Sequence, residues 1–196
     1  VYAPLGLGPK RSVEAVAAAM KGEFADAELK TIDIFEYVNP AARAVLRRGY
    51  ESLVGNAPGL WGFLFEKESL VDTLSPNENF ARSVQWDALR GLIAEVSPEV
   101  IVVSHPFAAA PFLRLKREGS LDLPVVSILH DYLVHNVLVQ DGISLYTCAD
   151  GKLADELVAR GVERELVYPC GIPVGEDLTS PRDTTALRAK FGLEQD

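Results

Sequence analysis

The stretch Pro98-Glu99-Val100-Ile101-Val102-Val103-Ser104-His105-Pro106 decides the fold class. Val100 to Val103 are four β-branched residues in a row with no polar alternation. A strand covered on one face alternates apolar and polar, whereas a strand buried on both faces does not. The run therefore predicts a central strand over Val100–Ser104, in a parallel sheet clad by helices. Further short runs predict strands at Val1–Ala3, Leu29–Ile34, Val125–Leu129, Leu145–Thr147 and Leu166–Tyr168. Between the first two, Val13, Val16, Ala17 and Met20 fall at i, i+3, i+4 and i+7, one face of a helix. Ala81–Val96, Lys152–Arg160 and Thr184–Phe191 read as helices, the last two followed by Gly161 and Gly192. Strands alternating with helices predict an α/β class with a Rossmann-like open parallel sheet and helices on both faces.

Asn39–Asn79 breaks this rhythm and reads as an insertion. Ala41–Val54 has helical spacing, with Leu46, Tyr50, Leu53 and Val54 on one stripe and Arg43, Arg47 and Arg48 on another side. The aromatic window Gly59-Leu60-Trp61-Gly62-Phe63-Leu64-Phe65 follows. A basic helix face beside an aromatic cluster is what a membrane-surface element looks like, although most amphipathic helices face a core.

The chain has 196 residues and a net charge of −9. That balance argues against a nucleic-acid partner, which needs a basic face for phosphates. The two cysteines, Cys148 and Cys170, make neither a disulfide framework nor a zinc site. They fit a reducing compartment, so a cytoplasmic location is expected. No apolar run reaches the roughly 18 residues that would span a bilayer.

Candidate chemistry gathers at strand ends. Gly6-Leu7-Gly8 lies where the first strand turns into the first helix, a place where backbone N–H groups can approach an anion. A dinucleotide fingerprint would need a third glycine at Arg11, so G-x-G-x-x-G is incomplete. Asp33 stands where a ribose-binding acid would stand. His105 follows one strand, and His130-Asp131 the next, with His135 four residues on; these are the three histidines of the chain. Ligands of open α/β sheets bind at carboxyl strand ends. An imidazole beside a carboxylate there suits proton transfer near neutral pH. No spacing compels a metal site.

Taken in order, the Gly6-Leu7-Gly8 turn, Tyr50 and Trp61 in the insertion, Pro98–Pro106, Leu123-Pro124-Val125-Val126 with His130-Asp131 and His135, and Gly171-Ile172-Pro173-Val174 resemble a known pattern. The chain resembles the N-terminal domain of the monogalactosyldiacylglycerol synthase family, which includes bacterial processive diacylglycerol glucosyltransferases. The resemblance runs from Gly6 to Phe191. It implies one half of a GT-B glycosyltransferase, with an acceptor-binding domain over residues 1–175. Residues 176–196 would then be a linker and the start of a C-terminal donor-binding domain of the same protein. The implied reaction is inverting transfer of a sugar from a nucleotide-sugar donor, such as a UDP-sugar, to a membrane lipid such as diacylglycerol. No tightly bound cofactor is implied, and this chain alone is expected to be inactive.

On this reading Asp131 and His105 are the candidate catalytic residues, and Gly6, Gly8, His130, His135, Trp61 and Tyr50 the candidate acceptor contacts. Arg43, Arg47, Arg48, Phe63 and Phe65 would meet an anionic membrane surface weakly, on its cytoplasmic face. One departure matters. The family usually has a His directly after the second glycine, proposed as the base, where this chain has Pro9. Two alternatives stand beside the leading reading: a non-catalytic, degenerate Rossmann-like binding module, and a nicotinamide-nucleotide enzyme.

Overall fold

The computed structural model describes residues 1–57, 59, 76, 78–179 and 183–193. Helix α1 spans Gly8–Glu23, with Pro9 in its first turn. There a missing N–H costs no hydrogen bond. A 3₁₀ turn over Ile34–Tyr37 leads to α2 (Pro40–Asn56), which is capped by Asn39: its Oδ1 accepts from the Ala42 N–H at 2.9 Å. Next come α3 (Glu78–Ser83), α4 (Trp86–Val96), β1 (Ile101–Val103) and α5 (Pro106–Arg117). They are followed by β2 (Val125–Ile128), β3 (Leu145–Cys148), α6 (Gly151–Ala159) and β4 (Val167–Pro169). The short α7 (Glu176–Thr179) and α8 (Thr184–Phe191) complete the described elements, and Gly192, at φ +65°, ends α8 as its position predicts.

The four strands are parallel, in the order β1-β2-β3-β4. Val1 and Tyr2 continue this sheet past β1. The Val1 nitrogen donates to the Val102 carbonyl at 2.6 Å, and the Ser104 N–H donates to the Val1 carbonyl at 3.3 Å. On its other side, Tyr2 donates to the Ile32 carbonyl and accepts from the Ile34 N–H, both at 2.9 Å. The spatial order is therefore 32–34, 1–2, β1, β2, β3, β4. The first crossover moves one way along the sheet and the later ones the other way. Right-handed connections then place α1 on one face and α5 and α6 on the opposite face. This is a Rossmann-like α/β domain, and its winding reverses between residues 1–2 and β1.

Three expectations need correction. The strands at Val1–Ala3 and Leu29–Ile34 shrink to a single parallel bridge, Tyr2 to Asp33. Asp33 ends the second of them: its carboxylate accepts the Phe35 N–H at 2.8 Å and turns the chain into the 3₁₀ helix. The single helix expected over Ala81–Val96 is two. Between them Val84 forms an antiparallel bridge with Val38, the Gln85 N–H bonds the Tyr37 carbonyl and the Asn39 N–H bonds the Ser83 carbonyl, both at 2.8 Å. Those bonds divert backbone groups that a continuous helix would have kept. Finally, α5 is a helix absent from the expected elements. Pro111 stands inside it, a residue that usually breaks a helix, while Ala108, Pro111, Phe112 and Leu115 bury one face at i, i+3, i+4 and i+7 and Ala109 and Leu113 widen it.

The core lies between sheet and helices. Phe35, Leu89, Val103, Tyr146 and Leu157 are fully buried. Each such side chain contributes roughly 1.5–3 kcal/mol relative to exposure. Phe107 joins α5 to the 3₁₀ turn and to α3 by edge-to-face contacts with Phe35 (6.4 Å between ring centroids) and Phe80 (4.8 Å). No helix among the described residues is long and apolar enough to cross a membrane.

Candidate active site at the reversal of winding

The sheet's carboxyl edge gathers four chain segments. The first is the turn Gly6-Leu7-Gly8. Gly6 has φ +88°, a conformation that side chains disfavour, and a Cβ there would stand 2.9 Å from the Tyr50 Oη. A Cβ on Gly8 would stand 2.7 Å from Cδ2 of His130. The room that both glycines leave is thus occupied by side chains of this protein, Tyr50 from α2 and His130 from the loop after β2. The turn is fastened from below: Ser104, almost wholly buried, donates its Oγ–H to the Pro9 carbonyl at 2.7 Å.

The second segment is the end of β1. His105 is the N-cap of α5, and its Nδ1 accepts from the Phe107 N–H at 3.2 Å. Its ring stacks on Phe107 at 5.7 Å. Burial, with the neighbouring His130 adding to it, lowers the His105 pKa to about 3. His105 is therefore neutral at physiological pH. Since Nδ1 accepts, the proton sits on Nε2, so the free edge of the ring is a donor. Such a ring can bind or polarise an oxygen but has no lone pair on that edge with which to take a proton.

The third segment follows β2. His130 is largely buried and Asp131 half-exposed, with His130 Nε2 3.7 Å from Asp131 Oδ2. His130 Nδ1 is buried with no hydrogen-bond partner among the described residues. Ser104, His105, Leu129, His130, Asp131 and Gln140 help line a cavity of about 10 Å³, room for about one water molecule. Gln140 is held there by Tyr146, whose hydroxyl accepts the Gln140 N–H at 2.9 Å and donates to its carbonyl at 3.0 Å. The fourth segment is α2: Tyr50 is half-buried, and its hydroxyl pKa is raised by burial and then by the negative charge of Asp131.

Other candidates fall elsewhere. His135 is buried, precedes the 3₁₀ turn Asn136–Leu138, and does not line the cavity. The three histidines thus resolve into a pair at the site and one behind it. Asp33 is engaged by its own chain: besides capping the 3₁₀ turn, it pairs with Arg47 at 3.7 Å. Its pKa is raised, chiefly by burial, with the Phe35 N–H and Arg47 opposing. An acid so engaged is poorly placed for a ribose, and the space above Gly8 is filled, so the geometry disfavours a nicotinamide nucleotide. Of the basic stripe, Arg47 thus leans onto the domain, Arg43 is half-buried and Arg48 is exposed. Trp61, Phe63 and Phe65 lie outside the described residues. Sequence reasoning missed Ser104 and Gln140 as site-builders; no motif flags a serine that bonds a carbonyl 95 positions away. It also missed the apolar lips, Leu7, Tyr132 and Leu133, which are 76%, 72% and 55% exposed.

The family model of monogalactosyldiacylglycerol (MGDG) synthase matches residues 10–174. The chain belongs to the MGDG synthase family. Among curated relatives, it is 27% identical over 115 residues to a processive diacylglycerol beta-glucosyltransferase of Bacillus cereus (strain B4264), covering 59% of this chain and 28% of that protein. It is 22% identical over 118 residues to the enzyme of the same name from Bacillus cytotoxicus, covering 60% of this chain and 29% of that protein. The matched region spans under a third of the length of these relatives.

Two outcomes are expected. Gly8→Ala drives a Cβ into the His130 ring, which sets back stability by about 1–3 kcal/mol and shifts the His130 imidazole resonances. Gly22→Ala, on the open side of α1 with nothing within 4 Å, stabilises by about 0.5–1 kcal/mol; urea melts and NMR of both variants check the pair. The second outcome concerns pH. The folded pKa of His105 lies near 3 and the unfolded value near 6.5, so the unfolded state binds the extra proton between them. Stability from this group is complete above about pH 6.5 and falls by up to about 1.4 kcal/mol per unit as pH drops toward 3. In His105→Asn, which keeps a capping oxygen, urea melts from pH 7 to 4 show a shallower fall.

Proposed function

We propose that this chain is the acceptor-side domain of a glycosyltransferase that moves a sugar from a UDP-sugar to a membrane lipid such as diacylglycerol, with inversion. The observation that carries this reading is the meeting of Gly6, Gly8, Tyr50, His105, His130 and Asp131 at the winding reversal, where open α/β sheets bind ligands. Family membership and the names of the relatives support the class of reaction. The domain boundary near residue 175, and a C-terminal domain that would hold most of the donor, are part of the same proposal.

Inversion needs a base at the acceptor hydroxyl and donors for the leaving diphosphate. Asp131 is the proposed base: it is half-exposed, as a group meeting a lipid hydroxyl must be, and His130 beside it orients the carboxylate. His105 acts through Nε2–H as a neutral donor to an oxygen of the substrate. Tyr50 reaches over Gly6 and closes the acceptor side. Arg43 and Arg48, with Trp61, Phe63 and Phe65, are the proposed contact with an anionic cytoplasmic leaflet. Pro9 supports a second reading, a binding module that has lost transfer chemistry, because proline accepts no proton.

Transfer from UDP-glucose to diacylglycerol-containing vesicles by the full-length protein tests both. Asp131→Asn lowers kcat by about 10²- to 10⁴-fold, with KM for UDP-glucose nearly unchanged. A wild-type protein that binds diacylglycerol vesicles but transfers no sugar favours the binding module. For the membrane contact, Arg48→Glu weakens co-sedimentation with anionic vesicles at low salt. The loss corresponds to about 1 kcal/mol for the charge removed and more for the one added. The difference shrinks at ~500 mM salt as the Debye length falls. Equal binding by both forms removes this surface from the proposal.

A further inference from the structure

The mouth of the candidate site reverses the usual order of polarity, in which an apolar centre is ringed by a polar rim. Its floor carries the polar groups: Ser104, His130 and Gln140 help line the cavity, and Asp131 stands half-exposed beside them. Its rim is apolar. Leu7 is 76% exposed, Tyr132 72% and Leu133 55%. Exposed apolar side chains scattered singly are ordinary, whereas several in one place mark a contact surface. These three are grouped. A Cβ on Gly8 would stand 2.7 Å from the His130 ring, so the residue before Gly8 and the residues two and three after His130 flank one opening.

Leu7 breaks a second rule. It is the N-cap of α1, and no side chain caps that helix. Its carbonyl accepts the Arg11 N–H at 3.0 Å. A Ser, Thr, Asn or Asp in this place offers the first turn a side-chain oxygen as well; leucine offers none and exposes its methyl groups to water. Neither capping nor packing selects leucine here. A residue that breaks local rules with no gain inside the fold points to a use outside it.

The charges around this rim balance. Lys10 and Arg11, in the first turn of α1, stand 3.6 and 4.0 Å from Glu14, and Asp131 supplies a second carboxylate. What remains is apolar contact, carried by two leucines and by a tyrosine, whose ring has an apolar body and a polar tip. A rim of this kind suits the boundary between headgroups and acyl chains. Helix α2 borders the same mouth through Tyr50, over Gly6, and the exposed Arg48 of that helix is the proposed contact with an anionic leaflet.

We infer that Leu7, Tyr132 and Leu133 insert into the headgroup layer of a phospholipid bilayer, so that the site opens directly onto the membrane. The inference rests on the reading of this site as one that takes a lipid acceptor. It differs from the Arg48 contact in its force: apolar insertion persists in salt, whereas the arginine contact is screened. An acceptor hydroxyl then reaches Asp131 without its acyl chains crossing water.

The test is co-sedimentation of the full-length protein with phosphatidylcholine vesicles containing diacylglycerol, at ~500 mM salt. Leu7→Ser and Tyr132→Ser each lower the partition coefficient by about three- to tenfold, and Leu7→Ser does not lower Tm. Tyr132→Trp keeps an amphipathic ring and retains partition, and its added fluorescence is quenched by brominated phosphatidylcholine. Phe24, 58% exposed just past the other end of α1 and about 24 Å away, is the control: Phe24→Ser leaves partition unchanged. Equal partition of wild type, Leu7→Ser and Tyr132→Ser overturns the inference, as does a wild type that stays in solution at this salt. A fall in Tm with Leu7→Ser also overturns it, since the side chain would then serve packing. Dimerisation of the wild type that Leu7→Ser abolishes assigns the rim to a second copy and overturns it too. A wild type whose partition depends on the rim but which transfers no sugar strikes the proposed reaction and leaves the rim standing.

Discussion

The rest of the structure depends on a pair of residues bonded in two directions. Val1 pairs with β1 and Tyr2 pairs with 32–34, so the strand they belong to is interior and the chain winds away from it both ways. That reversal opens a crevice at the carboxyl edge, because the helices on either side leave in opposite directions. The buried Ser104–Pro9 bond ties the first turn of α1 to the tip of β1 at 2.7 Å. A buried bond of this kind contributes about 1 kcal/mol net.

Within the crevice, desolvation divides the labour among groups that look alike in the sequence. His105 is crowded and capping, so it stays neutral and keeps its proton outward. Asp131 is half-exposed, with His130 beside it, so its side chain is within reach of a molecule from outside. Tyr50, half-buried and within the field of Asp131, holds its proton more firmly than a free phenol. The roles proposed for His105, Asp131 and Tyr50 thus rest on three different degrees of burial.

The glycines of the first turn illustrate a second division. Read alone, Gly6-Leu7-Gly8 suits a phosphate. In the fold, Tyr50 and His130 stand where the missing side chains would be. Glycine is required there by close packing of the protein on itself, and the turn becomes the floor of the site while the rings become its walls. The same exchange explains Asp33 and Arg47, which pair with each other and so leave less of the basic stripe for an outside surface.

Sequence alone determined the class of the fold and the edge of the sheet at which His105 and His130-Asp131 stand. The unbroken run Val100–Val103, the strands at 125–129, 145–147 and 166–168, and the helix stops at Gly161 and Gly192 all depend on local steric and apolar patterning, which a chain carries wherever it goes. The placement of His105 and His130-Asp131 after strands follows from the same patterning. Tertiary structure alone decided which way each side chain faces and what meets it. It broke the helix at Val84, because residue 38 offered a strand partner, and it cut short the strand at Asp33, because a carboxylate found its own backbone. It drew His135 away from the other two histidines and brought Tyr50 to Gly6. Those outcomes depend on contacts between residues tens of positions apart, and burial, which sets their protonation and their reach, exists only once the chain has closed on itself.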